Sequence, residues 1–276
     1  KDMTMIDELG DRMKQYEAME TGRRTMSRLP ICVRIDGKCF SAFTRGLVRP
    51  YDSRLSRLMI STTRYLVQES GALAGYTQSD EISLLLWQED LKAQVFLDRR
   101  IQKLTSILAS MATGYFNAHL AEAIPERAGR IALFDGRVWA VPNKDEAANT
   151  FYWREVDATK NSVSMAASCY YSHKELHGKG RADQQEMLFA KGVNWNDYPA
   201  FFKRGTFLIR KKVERKFTAV EMAALPPAHE AHRNPDLVVT RQDIWEVDMP
   251  PFGSVTNRVG VLFDGEAPQT AGKGDA

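Results

Sequence analysis

Cysteine is scarce in this chain. Cys32, Cys39 and Cys169 are the three among 276 residues, and no two have C-x-x-C spacing. An odd, scattered set argues against a disulfide framework and fits a reducing, cytoplasmic setting. Long apolar runs are missing as well, so no segment reaches the length of a membrane span. The opening stretch, KDMTMIDELGDRMKQYEAME, is acidic and has no apolar core, which is not the pattern of a secretory leader. Neither sign of charge dominates: 38 Lys and Arg face 35 Asp and Glu, a formal net charge of +3. Net charge alone therefore does not argue for a nucleic-acid partner. The chain also lacks G-x-x-x-x-G-K-[ST], G-x-G-x-x-G and G-x-S-x-G, which removes support for phosphate-loop, Rossmann and hydrolase-elbow readings.

The pattern that is present predicts a mixed fold. Residues 5–20 space Ile6, Leu9, Met13 and Tyr16 as one helix face. Ile31, Val33 and Ile35 alternate with Cys32, Arg34 and Asp36 as in a strand, so Arg34 and Asp36 share a face. DSRLSRLMISTTRYLVQES reads as a helix with Asp52 or Ser53 as its cap. Ile82 to Trp87 reads as a buried strand. A long helix is expected over about 91–122, with the stripe Leu97, Ile101, Leu104, Leu108, Met111 and Tyr115. IALFDGRVWAV predicts a hairpin turning at Asp135-Gly136. A Ser/Ala-rich helix is expected at about 157–175, NWNDYP as a turn, GTFLIRKKVERKF as a strand, and 264–276 as a disordered tail. Together these give one α+β domain over residues 1–263, with helical and hairpin additions.

Two carboxylates stand out. Asp36-Gly37 ends one strand and Asp80-Glu81 heads another. If the two strands are neighbours, their carboxylates converge beside a glycine whose backbone can come close, the donor set for a hard divalent cation. Asp-Gly alone is usually a turn; the second acidic pair raises the metal reading. Arg99, Arg100 and Lys103 form one cationic group at helical spacing. By itself that group reads as a solvated helix face. His173 and His177, spaced i, i+4, lack the Glu or Cys partners of a zinc site.

Seven stretches, taken in order, resemble the tRNA-histidine guanylyltransferase family and its guanylyltransferase-like relatives. They are VRIDGKCFSAF, RPYDSRL, YTQSDEISLLL, RRIQK, LFDGRVWAVP, QEMLFAKGVNWNDYP and KRGTFLI. The resemblance implies a polymerase-palm-like, antiparallel-rich sheet flanked by helices. It implies a nucleotidyltransferase that extends RNA at the 5′ end, in the 3′-to-5′ direction, with two Mg²⁺ ions, ATP and GTP or another nucleoside triphosphate, and tRNA as substrate. It assigns the metals to Asp36 and Asp80 with the Gly37 carbonyl, and makes Glu81 the adjacent acid. Nucleotide contacts fall to Arg34, Lys38, Phe40, Arg49, Asp52, Ser79, Arg99, Arg100 and Lys103, and RNA contacts to Asn161, Lys203 and Arg204. A homo-tetramer is the family's expected assembly. Where eukaryotic members carry a His-Ile-Asn-Asn run, this chain reads Thr159-Lys160-Asn161-Ser162. That departure resembles the bacterial, archaeal and phage-type relatives, which repair tRNA 5′ ends by templated addition. A dedicated tRNA-histidine enzyme is the alternative within the family, and a palm-type nucleotide cyclase the more distant one.

Overall fold

The computed structural model describes residues 2–90, 95–234 and 236–271, with side chains from Glu8 onward. In chain order the elements are α1 (Asp2–Thr21), β1 (Ile31–Gly37), α2 (Phe40–Phe43), α3 (Ser53–Ser70), β2 (Ala74–Gln78), β3 (Glu81–Leu86), α4 (Ile101–Ala123), β4 (Phe134–Ala140) and α5 (Lys144–Ala167). There follow α6 (His173–Leu176), α7 (Arg181–Phe189), α8 (Ala200–Arg204), β5 (Thr206–Lys216), α9 (Ala219–Ala224) and β6 (Val238–Val247).

The six strands form one sheet, β4-β1-β3-β2-β5-β6, and every neighbouring pair is antiparallel. Strand alternation sorts its side chains. Ile31, Val33, Ile35, Leu84 and Leu86 enter a core with Leu58, Leu66, Leu104, Leu108 and Phe116 of α3 and α4. Cys32, Leu85, Tyr76, Phe207 and Ile209 enter a second core with Ala147, Phe151 and Ala158 of α5. The α+β class is as the sequence pattern predicts, and the antiparallel sheet flanked by helices is as the family resemblance implies.

Several local expectations are corrected. Asp135-Gly136 is not a turn: β4 runs straight through it, with Gly136 opposite Ile35 of β1. A Cβ at Gly136 would lie 3.0 Å from the Thr105 carbonyl oxygen of α4, so the glycine serves close helix–strand packing. The true hairpin is β2–β3, and Ser79-Asp80 is its two-residue turn, with Ser79 in the left-handed region at φ 51°. The helix expected from 91 starts at Ile101; residues 91–94 lie outside the described residues. Leu97, Asp98 and Arg99 have φ of 51°, 53° and 58°, so no helix can run through them. That stretch instead bridges residues 23–25, through Thr25 N–H to the Arg99 carbonyl and Ile101 N–H to the Arg23 carbonyl.

The helix expected at 157–175 is α5, which begins earlier and ends at Ala167. Its start signal is Asn143, whose Oδ1 accepts from the Glu146 N–H at 2.8 Å. The stripe of α1 is not buried: Leu9, Met13 and Tyr16 are half exposed, and the Ile6 side chain lies outside the described residues. Nor is the tail free from residue 264. Asn257 accepts from Gln269 N–H and donates to the Ala267 carbonyl, and Val255 bridges Thr270, so side-chain amides order a stretch whose composition alone suggested disorder. Residues 272–276 lie outside the described residues. No described helix is long and apolar enough to cross a membrane.

Candidate active site

β1 ends at Asp36-Gly37 beside the β2–β3 turn, because β1 pairs with β3 in a register that sets Asp36 opposite Glu81. Gly37 N–H donates to the Asp80 carbonyl at 3.1 Å and fastens the strand end to the turn. A Cβ on Gly37 would lie 2.2 Å from the Phe40 ring, so this position admits only glycine without a shift. Asp36 and Asp80 thus meet at the wall of one cavity of about 760 Å³, and both also line a second cavity of about 500 Å³.

The electrostatics separate the three acids. Burial raises the carboxyl of Asp80, with a further push from Asp36, although the Ser79 hydroxyl donates to Asp80 Oδ1 at 3.0 Å. Burial also raises Asp36, followed by repulsion from Asp135, its cross-strand partner on the β4 side. Neither makes an ion pair among the described residues. Glu81 does: Arg154 of α5 donates to it from Nε at 2.7 Å, and Arg34 stands 4.0 Å away. Burial still outweighs the arginines and raises the Glu81 carboxyl. The same Arg154 donates from Nη1 to Asp157 at 2.9 Å.

The donor set fits a hard divalent ion. Two acidic, incompletely neutralised carboxylates sit beside a close-approaching backbone, and like charges in a desolvated site favour a cation between them. Among the described residues no cluster of three His, Cys, Asp or Glu side chains could close around a metal. Mg²⁺ commonly takes one or two carboxylates and completes its shell with substrate phosphates and water.

The other site residues expected from the sequence fall into three groups. Arg49, Ser79, Asp52, Phe40 and Asn161 line the larger cavity. Asp52, however, is committed to its own segment. It caps α3, accepting from Arg54 N–H at 3.0 Å, and Arg54 holds its carboxyl down at about 2. Phe40 is 4% exposed and packs among Phe43, Phe116 and Phe134. Arg49 donates to Ser168 Oγ at 2.8 Å.

Lys38, exposed just past β1, lines neither of the two cavities. The same holds for Arg99, Arg100 and Lys103, which stand at the head of α4. Lys203 caps the Asn196 carbonyl and lies over Trp195. Arg204 faces Glu155 at 3.9 Å in a separate cavity. His173 and His177 lie 6.4 Å apart, centroid to centroid, as neighbours across α6.

Sequence reasoning missed Arg154 and Glu155. The signal was available: Ala147, Phe151, Ala158, Ser162 and Ala166 form the buried stripe of α5, and 154 and 155 fall on it. Charged residues at core-facing positions need partners, and these have them.

Comparison with known proteins places the chain. A family model described as tRNAHis guanylyltransferase matches residues 10–142, and one described as Thg1 C terminal domain matches residues 144–246. The tRNA(His) guanylyltransferase of Saccharomyces cerevisiae is 30% identical over 66% of this chain and 84% of its own length. Among solved structures, a bacterial tRNA(His) guanylyltransferase-like protein in complex with ATP aligns with a TM-score of 0.69 at 42% identity, over 73% of this chain and 88% of the other. Another, in complex with GTP, aligns at 0.67 and 33% identity, over 89% and 94%.

Proposed function

Since the chain belongs to the tRNA(His) guanylyltransferase family, a family of nucleotidyltransferases, we propose that it repairs RNA 5′ ends by templated 3′-to-5′ addition, with Mg²⁺ as cofactor. One observation carries this reading: the pairing of β1 with β3 brings the free carboxylates of Asp36 and Asp80 together at the wall of a nucleotide-sized cavity. The ATP and GTP complexes of the bacterial relatives support nucleoside triphosphates as its ligands.

Asp36, Asp80 and the Gly37 carbonyl would hold the metal. Bound there, Mg²⁺ would neutralise charge spreading over the transferring phosphoryl group and its leaving oxygen. Ser79 and Arg49, on the cavity wall, supply a hydroxyl and a guanidinium for phosphate oxygens. Two successive displacements follow from the family reading. A 5′-monophosphate end is joined to AMP from ATP with loss of pyrophosphate, and the 3′-hydroxyl of the incoming nucleotide then attacks that end and releases AMP. Neither needs a protein nucleophile, because positioning and charge stabilisation carry phosphoryl transfer.

The Thr159-Lys160-Asn161-Ser162 run supports repair over dedicated tRNA-histidine modification. Only Asn161 and Ser162 of the four line the larger cavity, and Ser162 Oγ is engaged with the Lys203 carbonyl and the Trp195 indole N–H. The test is a tRNA lacking its first 5′ nucleotide, with the opposing base varied, Mg²⁺ and four labelled nucleotides. Incorporation that tracks the opposing base on several tRNA species is the expected result. Guanosine added whatever the opposing base, and to tRNA-histidine alone, would assign the chain to the dedicated activity.

A further inference from the structure

Trp153 stands on α5 with 49% of its surface exposed, while Phe151 and Arg154 beside it are buried. Its ring centroid lies 4.2 Å from the guanidinium carbon of Arg154 and 5.9 Å from that of Arg34. These are the two cations that flank Glu81. Arg34 and Asp36 share a face of β1 and are about 7 Å apart along the strand. The indole therefore sits beside the acidic centre on the α5 side of the sheet. Arg154 also lines the 500 Å³ cavity together with Asp36 and Asp80, so that cavity runs from the carboxylates to the arginine that contacts the indole. Trp153 itself lines neither cavity.

Further cations stand near the two arginines, although Arg154 is itself paired with Glu81 and Asp157. Arg137 is the cross-strand partner of Arg34 and is 52% exposed. Lys160, two helical turns along α5 on the same side, is exposed too. Arg34 Nε is buried, makes no hydrogen bond and stands 4.0 Å from Glu81 Oε2. A half-exposed indole with two guanidinium groups against it offers a flat base attached to a phosphate backbone both stacking and charge.

Two substrates must meet at Asp36 and Asp80. With the nucleotide in the larger cavity, the smaller one, which reaches Arg154 of α5, is left for the RNA end. A recessed 5′ end leaves a base unpaired on the opposite strand, and unpaired bases are those that stack on aromatic side chains. We propose that Trp153 is the platform on which this unpaired base of the RNA rests, which sets the template position for the incoming nucleotide. The proposal rests on the repair reading above.

The test uses the full chain and acceptor-stem minihelix RNAs with a 5′ end recessed by one nucleotide or flush. Binding is read by fluorescence anisotropy, and nucleotide affinity is read separately. Trp153→Ala should lose about five- to a hundredfold in affinity for the recessed RNA, the range seen when a base-stacking aromatic is removed. Its preference for recessed over flush RNA should shrink, while its ATP and GTP affinities hold. Trp153→Phe, which keeps an aromatic face, should retain most of the binding. Recessed-RNA affinity unchanged in Trp153→Ala overturns the platform. A shift in sedimentation without a loss of RNA affinity also overturns it, and assigns the indole to a contact between protein copies. If the unsubstituted protein itself neither binds nor extends RNA, the function proposed above fails with it.

Discussion

Arg154 on α5 donates to Glu81 on β3 at 2.7 Å, with both side chains less than a tenth exposed. Glu81, Asp36 and Asp135 are successive cross-strand partners and form a row of carboxylates on one face, and among them Glu81, at the β3 end, is the one held by a buried arginine. The pair fastens α5 to the sheet directly behind the free carboxylates. Breaking a buried pair on one side strands a charge, at about 3–5 kcal/mol. Arg154→Met should therefore destabilise the fold by that order in urea denaturation. The double variant Arg154→Met/Glu81→Gln should recover a large part. Equal losses in the single and double variants would show that the pair is not coupled.

Asp36→Asn and Asp80→Asn should each abolish nucleotide addition. Both carboxylates are desolvated and repel neighbours, so the variants should melt no earlier than the parent without metal. Added Mg²⁺ with nucleotide should raise the melting temperature of the parent and leave both variants unmoved. Near-normal addition by either variant would refute the metal assignment.

Glu155 offers a pH test. It is buried in α5, accepts from the Phe252 N–H at 2.7 Å, and burial pushes its carboxyl from 4.5 up to about 7. The folded protein then binds more protons than the unfolded one between those values, so this group's contribution falls as pH rises. It is fully present below about 4.5 and is lost as pH passes 7, a loss on the order of 3 kcal/mol. Relative to Glu155→Gln, the parent should lose stability steadily from pH 4.5 to 8. Parallel stability profiles for the two proteins would contradict this.

Lys103 is exposed on α4 and lines neither cavity at the carboxylates. Lys103→Ala should leave the KM for the incoming nucleotide within about twofold. Any effect should fall on RNA affinity, with the salt dependence reduced by about one unit of slope. A tenfold rise in nucleotide KM alone would instead place this lysine on the nucleotide phosphates.

Gly136→Ala sets a methyl 3.0 Å from the Thr105 carbonyl oxygen. The clash should push β4 from α4 and cost about 1–3 kcal/mol, as overpacking does. At a hairpin tip the same change would be nearly neutral, so calorimetry decides between the two descriptions of this segment.

The sequence by itself determined the faces and the chemistry. Alternation in Ile31 to Asp36 placed Arg34 with Asp36, because strand geometry leaves each residue only two sides. The acidic pair at Asp80-Glu81 and the glycine after Asp36 marked the candidate site, since carboxylates beside buried strands need a partner.

Tertiary structure decided what each residue is used for. Asp135-Gly136 has the local signature of a turn, and only α4 lying against it makes the glycine a packing residue in a continuous strand. Asp80 and Glu81 are neighbours in sequence. One ends a turn and has no cationic partner among the described residues, while the other, a strand residue, is taken by Arg154 from 73 positions away. Asp52 lines the larger cavity, and it also caps α3 and pairs with Arg54. Local pattern cannot express these outcomes, because partners distant in the chain and the loss of water around each carboxylate set them, and both arise only when the sheet and helices close.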